Sequence, residues 1–213
     1  MNCRGQEQRK WIVVNYSVKP VAHIQLLKGQ TKHSDAGQII ENNYYIFEAK
    51  SKNNEKIVET IQCGIGAARD FLYLLNHSGL PIFNPLHEKN EFPQNNGQIN
   101  KSKIGTESNI KWNLKAKQLY NAIMWIIIII DAKPNTPIYD IRDKVFKFKY
   151  KEPFESQIKS INTIIKKSFK NLTLTEKINE LKVGNDIREE MCNFDALISN
   201  IYDCDGHSIQ LFF

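Results

Sequence analysis

The longest apolar run of the chain covers residues 122–130, where nine consecutive side chains are hydrophobic. This is roughly half the length that a membrane-spanning helix needs. Residues 110–130 begin with an amphipathic pattern and end in this run, which predicts one long helix or a helix that continues into a buried strand. No basic segment followed by an apolar one opens the chain, so we expect a cytoplasmic protein without a membrane anchor.

Composition indicates an ordinary folded protein. The chain has 213 residues, of which 41% are hydrophobic and 24% charged, which disfavours disorder and fibrous repeats. The formal net charge is +6, mostly from lysine. This charge would suit a polyanionic partner, DNA or alternatively RNA. A basic protein without such a partner explains the charge about equally well. The oligomeric state stays open, with a homodimer among the alternatives.

Strand patterns dominate the N-terminal third. Residues 11–18 and 21–27 are rich in β-branched and aromatic side chains and flank a proline, which predicts two short strands or one broken strand. Residues 37–40 and 44–51 are predicted to form a β-hairpin around the Asn-rich turn at 41–43.

Helical spacing begins near residue 54 and predicts a helix to about residue 76. Residues 88–107 are polar and lack periodicity, as is typical of a loop or linker. The C-terminal half is predicted to be mostly helical, with helices over residues 137–145, 153–169 and 173–202, a break at Gly184, and a final strand over residues 208–213.

The fold class expected from these patterns is α/β, or α+β. An N-terminal core over residues 1–87 would be followed by a linker over residues 88–108 and by a mostly helical region over residues 109–213.

Three charged residues of the predicted hairpin form a candidate site. Alternate residues of a strand share a face, so Glu48 and Lys50 should lie together. Asp35 precedes the first hairpin strand, and pairing across the turn would bring it level with both. A solvated ion pair between Glu48 and Lys50 explains those two residues equally well.

Two close carboxylates repel each other unless a cation lies between them. Oxygen ligands suit Mg²⁺, or Mn²⁺, so Asp35 and Glu48 are the predicted metal ligands. A metal-bound water is easily deprotonated, and Lys50 would orient it and offset negative charge on a phosphate. The predicted chemistry is phosphodiester hydrolysis.

Residues 35–76 resemble the PD-(D/E)xK superfamily, the restriction-endonuclease-like nucleases. The resemblance lies in an acidic residue before a hairpin, a Glu-x-Lys pattern on the next strand, and a helix behind it. It implies a restriction-endonuclease-like core in which Asp35 and Glu48 hold the metal and Lys50 assists the attacking water. Gln62 resembles the glutamine that RecB-like members place in the following helix, which implies a role in organising the site.

Lysines alternate with aromatic residues between positions 144 and 151, so a strand there would have a lysine face and an aromatic face. Such a surface would track phosphate backbones with little sequence preference. A solvated lysine face above an aromatic core is an equally good interpretation. The predicted nucleic-acid-binding residues are Lys144, Lys147, Lys149, Lys151, Lys166 and Lys167.

Two classes of function follow. The first is a metal-dependent endonuclease of the PD-(D/E)xK type that hydrolyses DNA. The second is a non-catalytic module that binds nucleic acid or protein, including a nuclease fold that has lost its activity. Whether the chain is an enzyme stays open at this point.

Overall fold

The structure is a computed structural model, which describes residues 1–87, 111–132, 136–198 and 207–213. Within these residues the fold is mixed α+β, as predicted. Its elements in chain order are α1 (Gln6–Asn15), β1 (Tyr16–Gln25), β2 (Lys32–His33), β3 (Ile39–Ile40), β4 (Asn43–Ser51), β5 (Val58–Gly64), α2 (Ile65–Leu74), α3 (Leu114–Ile130), α4 (Pro137–Lys147), α5 (Glu155–Ser168), α6 (Leu174–Lys182) and the 3₁₀ helices Glu189–Met191 and Asp195–Leu197.

The main sheet is antiparallel, in the order β1-β4-β5. The register of β1 against β4 shifts between Pro20 and Ala22, which is a β-bulge. The prediction of one broken strand is therefore confirmed for residues 16–25, which form a single strand interrupted next to the proline.

The predicted hairpin is wrong in its pairing, although β4 itself lies where a strand was expected. Strand β3 pairs with β2, and β4 pairs with β1 and β5. The chain reverses around Gly37, whose φ of 87° suits a tight turn, and Ser34 N–H donates to Gln38 O at 2.8 Å. The turn therefore lies before residues 39–40 rather than after them.

The strand predicted over residues 11–18 is wrong in its first half, which forms the end of α1. Tertiary contacts stabilise this helix. The side chain of Ile12, one of its own residues, is fully buried, and Lys52 Nζ donates to the carbonyl oxygens of Val13 and Val14, each at 2.9 Å. Lysine is favourable at the last carbonyls of a helix. Because Lys52 is distant in sequence, local β propensity gave the wrong result.

The helix predicted over residues 54–76 is wrong in its first half. Residues 58–64 form β5, in which Ile61 and Cys63 are buried and Gln62 between them is partly exposed. That alternation is the pattern of a strand with one buried face. The isoleucines at 57, 61 and 65 happen to share helical spacing, but only the last of them begins α2.

Two hydrophobic cores lie on opposite faces of the sheet. Tyr44 and Ile46 of β4 belong to the core beneath α3, while Tyr45, Phe47 and Ala49 belong to the core beneath α1 and α2. This division follows from the alternation of side chains along a strand. The sheet thus separates a two-helix layer from the larger helical layer.

The C-terminal half is mostly helical, as predicted. Helix α3 is a single helix that contains the whole apolar run, and Trp125 within that run is fully buried with its Nε1–H donating to Met191 O at 2.8 Å. Helices α4, α5 and α6 begin close to the predicted positions. Beyond Gly184 the described residues form 3₁₀ turns rather than a helix, and the predicted strand over residues 208–213 does not form.

Residues on both sides of the predicted linker share one core, since Val21, Tyr44 and Phe83 pack in the same cluster as α3 and α5. The linker at 88–108 and residues 199–206 lie outside the described residues. Among the helices described, none is both long and apolar enough to span a membrane.

Candidate functional site

Glu48 and Lys50 lie on one face of β4, as predicted. In the register of the sheet, Glu48 is opposite Lys19 and Thr60, and Lys50 is opposite Ser17 and Val58. Directly opposed residues of antiparallel strands point to the same side. This is the side of the sheet on which Tyr44 and Ile46 pack against α3.

The two charged groups have different partners. Glu48 Oε1 lies 3.2 Å from Lys19 Nζ, which also lies 3.6 Å from Asp143 Oδ2 of α4. Lys50 Nζ donates to Glu55 Oε2 at 2.9 Å in the exposed turn after β4. This hydrogen bond lowers the pKa of Glu55. Lys19 therefore links Glu48 to α4, whereas Lys50 pairs with Glu55 in the turn.

Asp35 lies on the free edge of β5. Its N–H donates to Gln62 O at 2.8 Å, and its Oδ2 accepts the N–H of Gln62 at 2.7 Å. Its other oxygen lies 3.4 Å from the Met1 ammonium, which lies 3.9 Å from Glu59 Oε2. Strand β5 separates Asp35 from β4, so their backbones are about 10 Å apart, two strand spacings.

Gln62 is in β5 and not in a helix, which corrects the position implied by the resemblance. Its Nε2 donates to His33 O at 3.0 Å, which ties the small β2–β3 sheet to β5. Gln62 is opposite Ile46 and so shares the face of Glu48. The backbone of Gln62 is hydrogen-bonded to Asp35, so these two residues are neighbours. Asp35 and Glu48 are not neighbours, because β5 lies between Asp35 and β4.

The predicted metal ligands do not converge on one point, because β5 lies between Asp35 and β4. No group of three or more His, Cys, Asp or Glu side chains with metal-binding spacing occurs in the described part of the chain. At the Asp35 edge, the carboxylates of Asp35 and Glu59 share the Met1 ammonium as a partner. Glu59 carried no sequence signal that distinguished it.

Arg142 is a second residue that sequence reasoning missed. Its side chain is 3% exposed within α4 and forms an ion pair with Asp143, which in turn neighbours Lys19. Its Nε has no hydrogen-bond partner within the described residues. Arg142 occupies a buried position in the apolar stripe of the amphipathic helix α4. The sequence alone did not indicate that this arginine would be buried.

The lysine-rich segment at 144–151 is not a strand: it comprises the last turn of α4 and the turns that follow. Lys144, Lys147 and Phe148 are three and four residues apart and so share one side of this helix end. Phe146 instead packs inward, with its ring centroid 6.0 Å from that of Trp112. The lysines and aromatic residues of this segment therefore do not form two separate faces, because helix geometry places Phe148 with the lysines and Phe146 in the interior.

A groove of about 480 Å³ lies where this helix end meets the start of α5. We call it the α4–α5 groove, and its lining includes Ala116, Lys144, Val145, Phe148, Lys151 and Phe154. Phe148 is 43% exposed and Phe154 is 76% exposed. The groove therefore combines accessible aromatic rings with two ammonium groups.

Not all predicted lysines belong to this groove. Lys149 Nζ lies 5.3 Å from the ring centroid of Phe146 and 5.7 Å from that of Trp112, on the packed side of the segment. Lys166 and Lys167 are in the last turn of α5, about 20 Å along the helix from its groove end. The structure thus brings Lys144 and Lys151 together and places Lys166 and Lys167 elsewhere.

The fold and this surface define a mixed α+β protein with a basic, aromatic groove between two helices. The model of the family described as uncharacterised conserved protein UCP028583 matches residues 1–197. Because this match covers most of the 213 residues, the chain belongs to that family. No curated protein and no solved structure matches the chain.

Proposed function

We propose that this protein binds nucleic acid through the α4–α5 groove. The observation that carries the proposal is that two exposed rings, Phe148 and Phe154, line the same groove as the ammonium groups of Lys144 and Lys151. Proteins that bind nucleic acid without sequence preference combine these two features, because lysines attract phosphates and aromatic rings stack on bases.

The charges around the groove support this proposal. Within the described residues, neither Lys144 nor Lys151 forms an ion pair with a carboxylate. Glu152, the acidic residue in the lining, is paired with Lys115. Lys144 and Lys147 also stabilise the C-terminal end of α4, where positive charge is favourable, and this role leaves their ammonium groups in solvent.

Aromatic exposure favours nucleic acid over an acidic protein partner. An acidic peptide would be recognised by the lysines alone, whereas exposed rings beside them supply stacking surfaces for bases. Lys147 Nζ lies 5.5 Å from the ring centroid of Phe148, and Lys151 Nζ lies 5.8 Å from that of Tyr150. Each of these two pairs thus joins one residue of the groove lining, Phe148 or Lys151, to a residue next to the groove.

Fluorescence anisotropy with labelled single-stranded and duplex DNA tests the proposal. The variant Lys144→Gln/Lys151→Gln removes two charges from the groove, and the control Lys166→Gln/Lys167→Gln removes two from the other end of α5. We expect the groove variant to bind about 10-fold more weakly than the control at low salt. Equal affinities of the two variants, or no binding by the unmodified protein, would contradict the proposal.

A second candidate function is phosphodiester hydrolysis by a core related to the PD-(D/E)xK nucleases. It is supported by the order of elements, with α1 before the antiparallel sheet and α2 after it, and by Glu48 and Lys50 on one face. The separation of Asp35 from Glu48 and the pairing of Glu48 with Lys19 weigh against the ligand set that the resemblance implies.

A cleavage assay tests this second candidate. Plasmid and single-stranded DNA are incubated with Mg²⁺ or Mn²⁺ and either the unmodified protein, Lys50→Ala or Glu48→Gln. Cleavage that both substitutions abolish would support a nuclease centre on β4. Equal cleavage by all three proteins would exclude that centre, and no cleavage together with salt-sensitive binding would favour the non-catalytic module.

A further inference from the structure

Phe154 is the most exposed ring of the α4–α5 groove, and its backbone is held in place. Its N–H donates to Gln157 Oε1 at 2.9 Å, and its carbonyl oxygen accepts the N–H of Gln157 at 2.9 Å. In the part of the chain that the structure describes, no other aromatic ring stacks on it. The ring is thus presented to solvent from an ordered backbone.

Phenylalanine at the start of α5 does not help the helix to form. It is the N-cap residue, where Ser, Thr, Asp or Asn normally accepts a hydrogen bond from the first turn. Helix α6 has this arrangement, with Thr173 Oγ1 accepting the N–H of Glu176 at 3.1 Å. A phenylalanine has no oxygen to offer, so α5 lacks this stabilising bond and exposes an apolar ring instead. An exposed ring at a position that favours a polar cap is better explained by binding than by folding.

The groove beside this ring has the size and chemistry for a nucleobase. Its volume of about 480 Å³ lies in the range of small-ligand sites. Buried Val145 and Ala116 contribute apolar surface, and Phe148 provides a second ring. Lys144 and Lys151 belong to the same lining and supply the positive charge that attracts a nucleotide phosphate.

We infer that the α4–α5 groove takes an unpaired nucleobase, which stacks on Phe154, so that the protein prefers single-stranded nucleic acid. This inference rests on the proposed nucleic-acid binding and names its substrate class. In a duplex the faces of the bases are covered by neighbouring pairs, and only their edges are accessible in the grooves. In a single strand each base offers a free face. DNA and RNA strands share this chemistry.

Affinities for oligothymidylate, oligouridylate and a duplex of equal length test the inference, using fluorescence anisotropy. Phe154→Leu keeps an apolar side chain of similar size but removes the aromatic face. Tyr73→Leu is the control, because Tyr73 is an exposed aromatic residue of α2 that the groove does not include. We expect Phe154→Leu to lose about 10-fold in affinity for both single strands, in line with the loss of one stacking contact.

The expected pattern also includes unchanged duplex binding by Phe154→Leu, unchanged binding of all ligands by Tyr73→Leu, and tighter binding of either single strand than of the duplex. Equal single-strand affinity of Phe154→Leu and the unmodified protein would overturn the inference. If the groove lysines still control binding in that case, the proposed function stands and only the stacking role fails. Absence of binding to all three ligands would overturn both.

Discussion

Lys19 and Glu48 face each other across β1 and β4, with Lys19 Nζ 3.2 Å from Glu48 Oε1. Because the same ammonium lies 3.6 Å from Asp143 Oδ2, one lysine connects the sheet to α4. The carboxylate that was predicted to hold a metal ion therefore has a structural partner on the neighbouring strand.

Lys19→Met should destabilise the protein more than Lys50→Met. The first substitution leaves the largely buried Glu48 without its partner, with an expected loss of ~1 kcal/mol. The second removes an exposed pair with Glu55, which solvent screens, so we expect little change in the free energy of unfolding. Urea denaturation of both variants measures the difference. An equal or larger loss for Lys50→Met would contradict the role given to Lys19.

Asp143→Ala should cost more than either lysine substitution, because it removes the carboxylate beside the buried guanidinium of Arg142. We expect a loss of ~2 kcal/mol in the free energy of unfolding, less than for a fully buried ion pair because the Asp143 side chain is 39% exposed. Asp143→Asn keeps a hydrogen-bond acceptor and should lose less. A change below that of Lys19→Met in a urea titration would show that Arg142 does not depend on Asp143.

Asp35→Ala should destabilise the edge of β5. The substitution leaves the N–H of Gln62 without its side-chain acceptor, with an expected loss of ~1–2 kcal/mol. Asp35→Asn retains an oxygen and should recover at least half of that loss. Hydrogen exchange at the Gln62 amide provides a local measurement, and protection that is identical in Asp35→Ala and the unmodified protein would contradict this assignment.

The capping box of α6 predicts a dependence of stability on pH. Hydrogen bonds from the Thr173 N–H and hydroxyl to Glu176 lower the pKa of Glu176 below its ordinary value of 4.5. A carboxylate with a lowered pKa stabilises the folded state above pH 4.5, and this contribution disappears as the pH falls through the lower, folded-state value. Thr173→Ala removes the hydroxyl donor but keeps the Thr173 N–H, so it should weaken this acid sensitivity and cost ~1 kcal/mol through the lost cap. Thermal melts of both proteins across that pH range measure the effect, and parallel pH profiles would contradict it.

Local patterns predicted the helical half of the fold well. Proline at the first position of α4 and the capping box of α6 are signals that lie within a few residues of the helix ends they mark. They need no tertiary information, so these helix starts could be predicted from the sequence.

The N-terminal sheet could not be predicted in the same way. Helix α1 depends on Lys52, which is far along the chain, and β5 carries Ile61, whose spacing from Ile57 and Ile65 also fits a helix. Strand pairing is a long-range property, so a short turn around Gly37 was enough to place β3 beside β2 instead of β4.

The candidate site was predicted only in part, for the same reason. Strand alternation placed Glu48 and Lys50 on one face correctly. The position of Asp35, however, depended on a hairpin register that the structure does not have. Likewise Lys144 and Lys151 were identified by composition, but their separation from Lys166 and Lys167 follows from the length of α5.

The salt dependence of nucleic-acid affinity tests the central claim most directly. The slope of the logarithm of the binding constant against the logarithm of salt concentration counts the phosphates that lysines neutralise. For single-stranded DNA we predict a shallower slope for Lys144→Gln/Lys151→Gln than for the unmodified protein, by ~1.4 for two lost contacts. Lys166→Gln/Lys167→Gln should keep the slope of the unmodified protein. The same slope for the groove variant and the unmodified protein would contradict binding through the α4–α5 groove.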